Sequence, residues 1–276
     1  MTTRSLSPLE SKLILHLEWD RQPTITIEQA RKILGVSDDH ARQILHRLAR
    51  DRWLAQIRPG KYELIPAERG EYAFVDTNPL FLGSTLVEPY YFSFATAAFF
   101  HGLSTQASFT VYIATTQDKP RRMLIRGKEY RLVLQPAHKF FAWSEVKAYG
   151  SLVNMADAEK TILDSLDHPG YASDIPEVAT MLWRGKSNLD WRKLVEYAVQ
   201  FRTQTLMQRI GYLMDLLRLP IDEETRNTLI EKSSGKNKCY LGQTRRWKTG
   251  GIYDSTWRIV DNIPRQELLA EIEGSG

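Results

Sequence analysis

A single cysteine, Cys239, stands among 276 residues, which excludes an internal disulfide framework and any cysteine-rich zinc site. No apolar run approaches the roughly 18 residues of a membrane span. The opening Met1-Thr2-Thr3-Arg4-Ser5 has no apolar stretch behind it, so no secretion signal is expected. No glycine-rich phosphate loop of the Walker or dinucleotide type occurs. The six histidines, at 16, 40, 46, 101, 138 and 168, show no paired ligand spacing. The expectation is a cytoplasmic protein without metal site or cofactor, and not an enzyme. What is present is ordinary for a folded chain in water: 42% hydrophobic and 25% charged residues.

The net charge of +4 is modest, and its distribution says more than its size. Residues 1–66 hold eleven Lys/Arg against eight Asp/Glu. Residues 232–258 hold seven cations (Lys232, Lys236, Lys238, Arg245, Arg246, Lys248 and Arg258) against the single acid Asp254. The rest of the chain is net acidic. Positive charge concentrated in separate stretches suits a polyanion-binding protein, and a solvated basic loop would look the same.

The first stretch is the more informative. Ser7-Pro8-Leu9-Glu10 places a cap, a proline at the first helical position and a capping-box glutamate in order. Leu6, Leu9, Leu13, Ile14 and Leu17 follow at helical spacing. Thr26-Ile27-Glu28-Gln29 starts a second helix, with Ala30, Ile33 and Leu34 as its stripe and Gly35 as its stop. A third helix runs from about Asp38 to Arg50 behind the cap Ser37. Ala41, Ile44, Leu45 and Leu48 cluster on one side of it. Gln43, His46 and Arg50 centre on the other side, flanked by Arg42 and Arg47. Two short runs around Pro59-Gly60 then predict a β-hairpin with Arg58 and Lys61 at its tip.

Short helices joined by a tight glycine turn, the second of them basic and followed by a hairpin, form the winged helix-turn-helix pattern. The expected DNA contacts are Ser37, His40, Arg42, Gln43, His46, Arg47, Arg50, Arg58 and Lys61. Glutamine can read adenine and arginine guanine, while the others reach phosphate. Asp38 and Asp39 fit this less well, since they would face phosphate, although they complement the helix dipole.

From Pro66 to Asn78 the pattern loosens, so residues 1–68 are expected as one domain and 69–276 as a second, larger one. Phe94 to His101, behind Tyr90-Tyr91-Phe92-Ser93, predicts a small buried helix closed by Gly102. Strands are expected at 109–115 and 130–134, and further ones at 146–149 and 152–155. Lys119, Arg121, Arg122, Arg126 and Lys128 suggest a second basic patch, extended by Lys236, Lys238, Arg245, Arg246 and Lys248. After Ala156 the period turns helical, with helices at about 156–168, 175–183, 190–201, 204–217 and 222–232. Residues 233–256, with four glycines, predict loops in which Tyr240, Trp247, Tyr253 and Trp257 either anchor the segment or stack on bases. The fold class is therefore α+β: an N-terminal winged helix-turn-helix domain followed by a larger mixed α/β domain with a helical second half.

Enzyme signals are thin. Glu159 and Asp164, five apart on one helix, suit capping and ion pairing better than an active-site pair. Glu145-Val146-Lys147 with Asp118 is a weak match to the carboxylate–lysine set of metal-dependent nucleases. A ligand-sensing regulator is a further alternative, with aromatic residues of the second domain lining a pocket.

The order of these features resembles one family. The winged helix, then Tyr90-Tyr91-Phe92-Ser93, Ala97 and His101-Gly102-Leu103, then Met155-Ala156-Asp157-Ala158-Glu159-Lys160-Thr161-Ile162-Leu163-Asp164 with Pro169 following, resembles the AbiEi-type antitoxins, regulators associated with phage-defence loci. The closing Gly251-Ile252-Tyr253-Asp254-Ser255-Thr256-Trp257-Arg258-Ile259-Val260-Asp261-Asn262 is similar to that family's C-terminal pattern, so the matches span nearly the whole chain. Where the family usually has Gly-Gly, Tyr171-Ala172-Ser173-Asp174 stands instead. The resemblance implies repression of the protein's own operon through inverted repeats in double-stranded DNA. It also implies that the larger domain counters a nucleotidyltransferase-like toxin, in a type IV scheme that requires no stable toxin complex and no membrane.

Overall fold

Three capped helices open the chain. In this computed structural model, which describes residues 5–70, 78–118, 122–233, 237–247 and 250–273, they are α1 (Pro8–Trp19), α2 (Ile27–Leu34) and α3 (Asp38–Arg50). The Ser7 amide donates to Glu10 Oε2 at 2.8 Å, and Thr26 and Gln29 cap each other at the start of α2. Gly35 ends α2 in the left-handed conformation, with φ of 69°, its amide donating to the Arg31 carbonyl. Leu13, Ile14 and Leu17 of α1, Ala30 and Leu34 of α2, and Ala41, Ile44, Leu45 and Leu48 of α3 share one core. That is the apolar stripe expected for each helix.

The hairpin is present as β2 (Leu54–Arg58) and β3 (Lys61–Leu64), and a strand that the sequence does not reveal, β1 (Thr24–Thr26), joins it. The three form an antiparallel sheet in the order β1-β3-β2. Three residues are too few to display alternation, so β1 is visible only through its partner. A short α4 (Pro79–Ser84), capped by Asn78 Oδ1, follows the stretch where the periodicity loosens.

Packing divides the chain into two compact units, Met1–Thr85 with Ile125–Gly127, and Leu86–Leu124 with Lys128–Gly276. The second is built on a mixed sheet. Its strands β4 (Tyr90–Phe92), β5 (Thr110–Thr115), β6 (Arg122–Ile125), β7 (Lys128–Leu134), β8 (Trp143–Ala148) and β9 (Ser151–Ala156) lie in the order β6-β7-β5-β4-β9-β8. β4 runs antiparallel to β5 and parallel to β9, where Phe92 faces Met155. Between β4 and β5 lies the short helix α5 (Phe94–Phe100), which buries Phe94, Ala97 and Ala98 and exposes Phe99.

Helices α6 (Ala158–Asp167), α7 (Ile175–Gly185), α8 (Trp191–Gln200), α9 (Gln204–Leu216) and α10 (Glu223–Lys232) complete the helical half. Their buried faces make up the large core, from Ile162 and Leu166 through Val178, Leu182 and Leu194 to Leu213. No helix among the described residues is long and apolar enough to cross a membrane.

The expectation of loops over 233–256 needs correction. Strands β10 (Cys239–Tyr240), β11 (Ile252–Asp254) and β12 (Ile259–Asp261) pair in the order β10-β12-β11, with a turn of helix, α11 (Thr244–Trp247), between the first two. Strands of two or three residues carry no periodic signal; what fixes them is an anchor. Trp257 is buried against α9 at Gly211, where a Cβ would overlap its ring, and its Nε1 donates to Asp215 at 2.7 Å. Trp257 is therefore an anchor and not a stacking platform. Two short helical turns, α12 (Arg265–Leu268) and α13 (Ala270–Glu273), close the chain.

Candidate nucleic-acid interface

Because α3 buries Ala41, Ile44, Leu45 and Leu48, geometry sends Arg42, Gln43, His46 and Arg50 to solvent on the opposite side. Among the described residues Arg42, Gln43 and His46 make no side-chain hydrogen bond or ion pair, which leaves their polar groups open to a ligand. Ser37 is committed to capping, its Oγ accepting from the His40 amide at 3.3 Å. Asp38 pairs with Arg31 at 3.1 Å, which takes one of the two discordant carboxylates out of play.

Three more of the expected contacts are engaged within the protein. Arg47 lies at the edge of the polar face, where its Nε reaches the buried Glu10 at 2.9 Å. This contact fastens α3 to α1. Arg50 is exposed, but its guanidinium holds Asp51 through Nε at 2.9 Å. Lys61 donates from Nζ to the Thr85 carbonyl.

The hairpin tip does not project. Thr26 of β1 stands opposite Lys61, and the Ile27 amide donates to the Gly60 carbonyl at 3.2 Å, so the turn is moored at the start of α2. Gly60 has φ of 79°, and the Ile27 side chain lies 3.4 Å from where its Cβ would be, so both backbone and space favour glycine. Arg58, half-exposed, has no ion pair among the described residues and is the cation that this hairpin offers.

The second basic patch disperses. Arg122 pairs with Glu129 at 3.3 Å, and Arg126 with Glu63 at 2.7 Å. Lys128 donates to the Ser108 carbonyl at 2.9 Å. Arg246 pairs with Asp174 at 3.1 Å and lies over the Trp247 ring. Exposed Lys238 and Arg245 have no such partner among the described residues. Lys119, Arg121, Lys236 and Lys248 lie outside the described residues. The spacing of cations along the sequence could not show that acids from elsewhere would meet them.

A polar cluster that spacing did not single out sits inside the second unit. Lys160 and Asp164, one turn apart on α6, are completely buried and paired. Ser93 Oγ donates to Asp164 at 2.7 Å, the Tyr91 hydroxyl donates to the same carboxylate at 3.2 Å, and Lys160 Nζ donates to that hydroxyl at 2.9 Å. Burial lowers the pKa of Lys160 against the pull of Asp164, and burial followed by the Asp164 charge raises that of Tyr91. An ammonium, a carboxylate and two hydroxyls would be a reactive set if open. Here they are sealed, and what they do is tie β4 to α6.

Glu159 faces away from this cluster, accepting from the Asp190 amide and Lys193 Nζ, both at 2.9 Å. It and Asp164 therefore serve separate contacts. Glu145 and Lys147 lie exposed on the outermost strand β8, and Asp118 is exposed beyond β5. Among the described residues no group of three or more His, Cys, Asp or Glu is placed to hold a metal ion.

No protein-family model matches the chain, and no curated protein does. A solved structure is similar: the RV2827C protein from Mycobacterium tuberculosis aligns over 99% of this chain and 97% of its own, at 18% identity and a TM-score of 0.66. At that identity the likeness shows a shared fold and nothing about activity.

Proposed function

We propose that the first unit is a winged helix-turn-helix that binds duplex DNA, and that the chain is a type IV antitoxin which represses its own operon and counters a nucleotidyltransferase-like toxin. The observation that carries the DNA arm is α3. Its apolar face is fully buried, while Arg42, Gln43 and His46 present on the other face guanidinium, amide and imidazole groups that no other described residue engages. Those groups match base edges and phosphate in a major groove. The toxin arm rests on the family resemblance. It is supported by the meeting in space of two blocks that carry it: Phe92 pairs with Met155, and Tyr91 and Ser93 bond to Asp164.

The test is a gel shift on the DNA upstream of the protein's own gene. Arg42→Ala and Gln43→Ala are each expected to weaken binding by about 1–3 kcal/mol if they read bases. Binding unchanged in both would remove α3 from the account. Affinity should fall with salt at a log–log slope of about −0.9 per phosphate neutralised, and Arg58→Ala should make that slope shallower by about one contact. Co-expression with a neighbouring nucleotidyltransferase-like gene tests the toxin arm, and failure to restore growth would sink it. A ligand-responsive regulator is the second reading. It is favoured by a cleft of about 430 Å³ in the second unit, lined among others by Gln106, Phe109, Glu177 and Arg184. That reading requires release from DNA by a small molecule in the absence of any toxin.

A further inference from the structure

We infer that the second unit carries a phosphate-binding pocket, sized for a nucleotide, where α9 meets the β10-β12-β11 sheet. A cavity of about 400 Å³ opens there, lined by Thr205, Arg209, Tyr240, Gln243, Thr244 and Arg245 together with Cys239 and Gly242. The volume lies within the range of small-molecule sites.

Charge is the first argument. Arg209 is largely withdrawn from solvent, and its Nε and Nη2 donate to the Tyr240 carbonyl at 3.2 and 3.1 Å. Among the described residues no carboxylate pairs with it. Other arginines of this unit have one: Arg226 pairs with Asp215 at 2.6 Å, and Arg246 with Asp174 at 3.1 Å. Arg245, exposed at the same pocket, has no ion pair among the described residues either, and no Asp or Glu is among the lining residues. Burial lowers the pKa of Arg209, yet a guanidinium does not give up its proton in a protein. Arg209 feels the charges of Asp174 and Asp167 but pairs with neither, so two guanidinium groups without a contacting carboxylate stand at one concavity, an arrangement that suits the oxygens of a phosphate.

The second argument is the rest of the lining. The hydroxyls of Thr205 and Thr244 and the Gln243 amide supply further donors of the kind a phosphoryl group accepts from. The Tyr240 ring, half-buried at the pocket, meets no other ring and no cation among the described residues. A free aromatic face beside a phosphate site is what a stacked base requires. The ligand is thus a nucleotide phosphate, whether in free solution or within a single strand. The inference does not depend on operator binding by the first unit.

The experiment is equilibrium binding of the full chain to four probes: ATP, GTP, inorganic pyrophosphate and a ten-nucleotide single-stranded RNA. At least one is expected to bind, and Arg245→Glu should weaken it ten-fold or more with no change in melting temperature. Arg209→Lys keeps the charge but loses the fork, and should weaken binding as well. Should that variant lose its fold by releasing the Tyr240 carbonyl, the exposed Arg245 alone decides. Triphosphate binding displaced by pyrophosphate identifies a free nucleotide, and RNA binding without triphosphate binding identifies a strand; either upholds the pocket. No binding of any probe, or binding that Arg245→Glu leaves intact, overturns it.

Discussion

Lys160 shows how one residue can bind two parts of a fold together. Withdrawing an ammonium from water costs several kcal/mol, and it is tolerated only where opposite charge and donors meet it. Asp164 and the Tyr91 hydroxyl do so here, and the rings of Tyr91, Phe141 and Phe201 lie 5.1, 5.3 and 4.8 Å from Nζ. Removing one partner strands the other. Lys160→Ala is expected to lower unfolding free energy in urea by about 3–5 kcal/mol, and the paired change Lys160→Met with Asp164→Leu should recover part of that. A loss below about 1 kcal/mol would mean that the pair is hydrated in solution. Glu10 acts on the same scale in the first unit. Burial opposes its charge, but the Ser7 amide and hydroxyl and the Arg47 guanidinium prevail and hold its carboxyl below the usual range. The unfolded chain then takes up this proton more readily than the folded one. Its stabilisation is therefore whole at neutral pH and drains away as pH falls through about 4.3 and below. The stability gap between wild type and Glu10→Gln should be open at pH 7 and narrow by pH 3; a gap independent of pH would exclude this role.

Among the elements, those with local rules were visible in advance. Caps, apolar stripes and the glycine stop placed α1, α2 and α3 within a residue or two, and the faces of α3 followed from its period. The strands β1, β10, β11 and β12 were not visible, since two or three residues take their conformation from a neighbour far along the chain. The same limit applies to side chains. Arg47 lies at the border of the polar face, and no wheel reveals that Glu10 comes to meet it. The small sheet also depends on a distant contact, the seat of Trp257 against Gly211. A methyl group there has nowhere to go, so Gly211→Ala should lower stability by about 1–3 kcal/mol through overpacking. Thermal unfolding followed by tryptophan fluorescence reads this directly. A neutral outcome would mean that the ring is not seated on α9.

At the scale of the whole molecule, the mixed α and β character follows from the switch of period near Ala156, after which the chain is mainly helical. The candidate site was partly foreseeable for the same reason: an exposed helical face follows once the buried one is known. The pocket at Arg209 was not, because its residues come from α9, β10 and α11 and share no motif. Sequence order has a last consequence through β4. Its neighbour β5 comes soon after it, but the strand on its other side is β9, with Met155 opposite Phe92. On a ribosome adding about 5–20 residues each second, β4 waits for seconds with one edge unpaired and the Tyr91 and Ser93 hydroxyls lacking the carboxylate they will share. An open strand edge templates pairing with other chains. Nascent copies that stall before Asp164 are thus the form of this protein most prone to stick together, and the first for which a chaperone would matter.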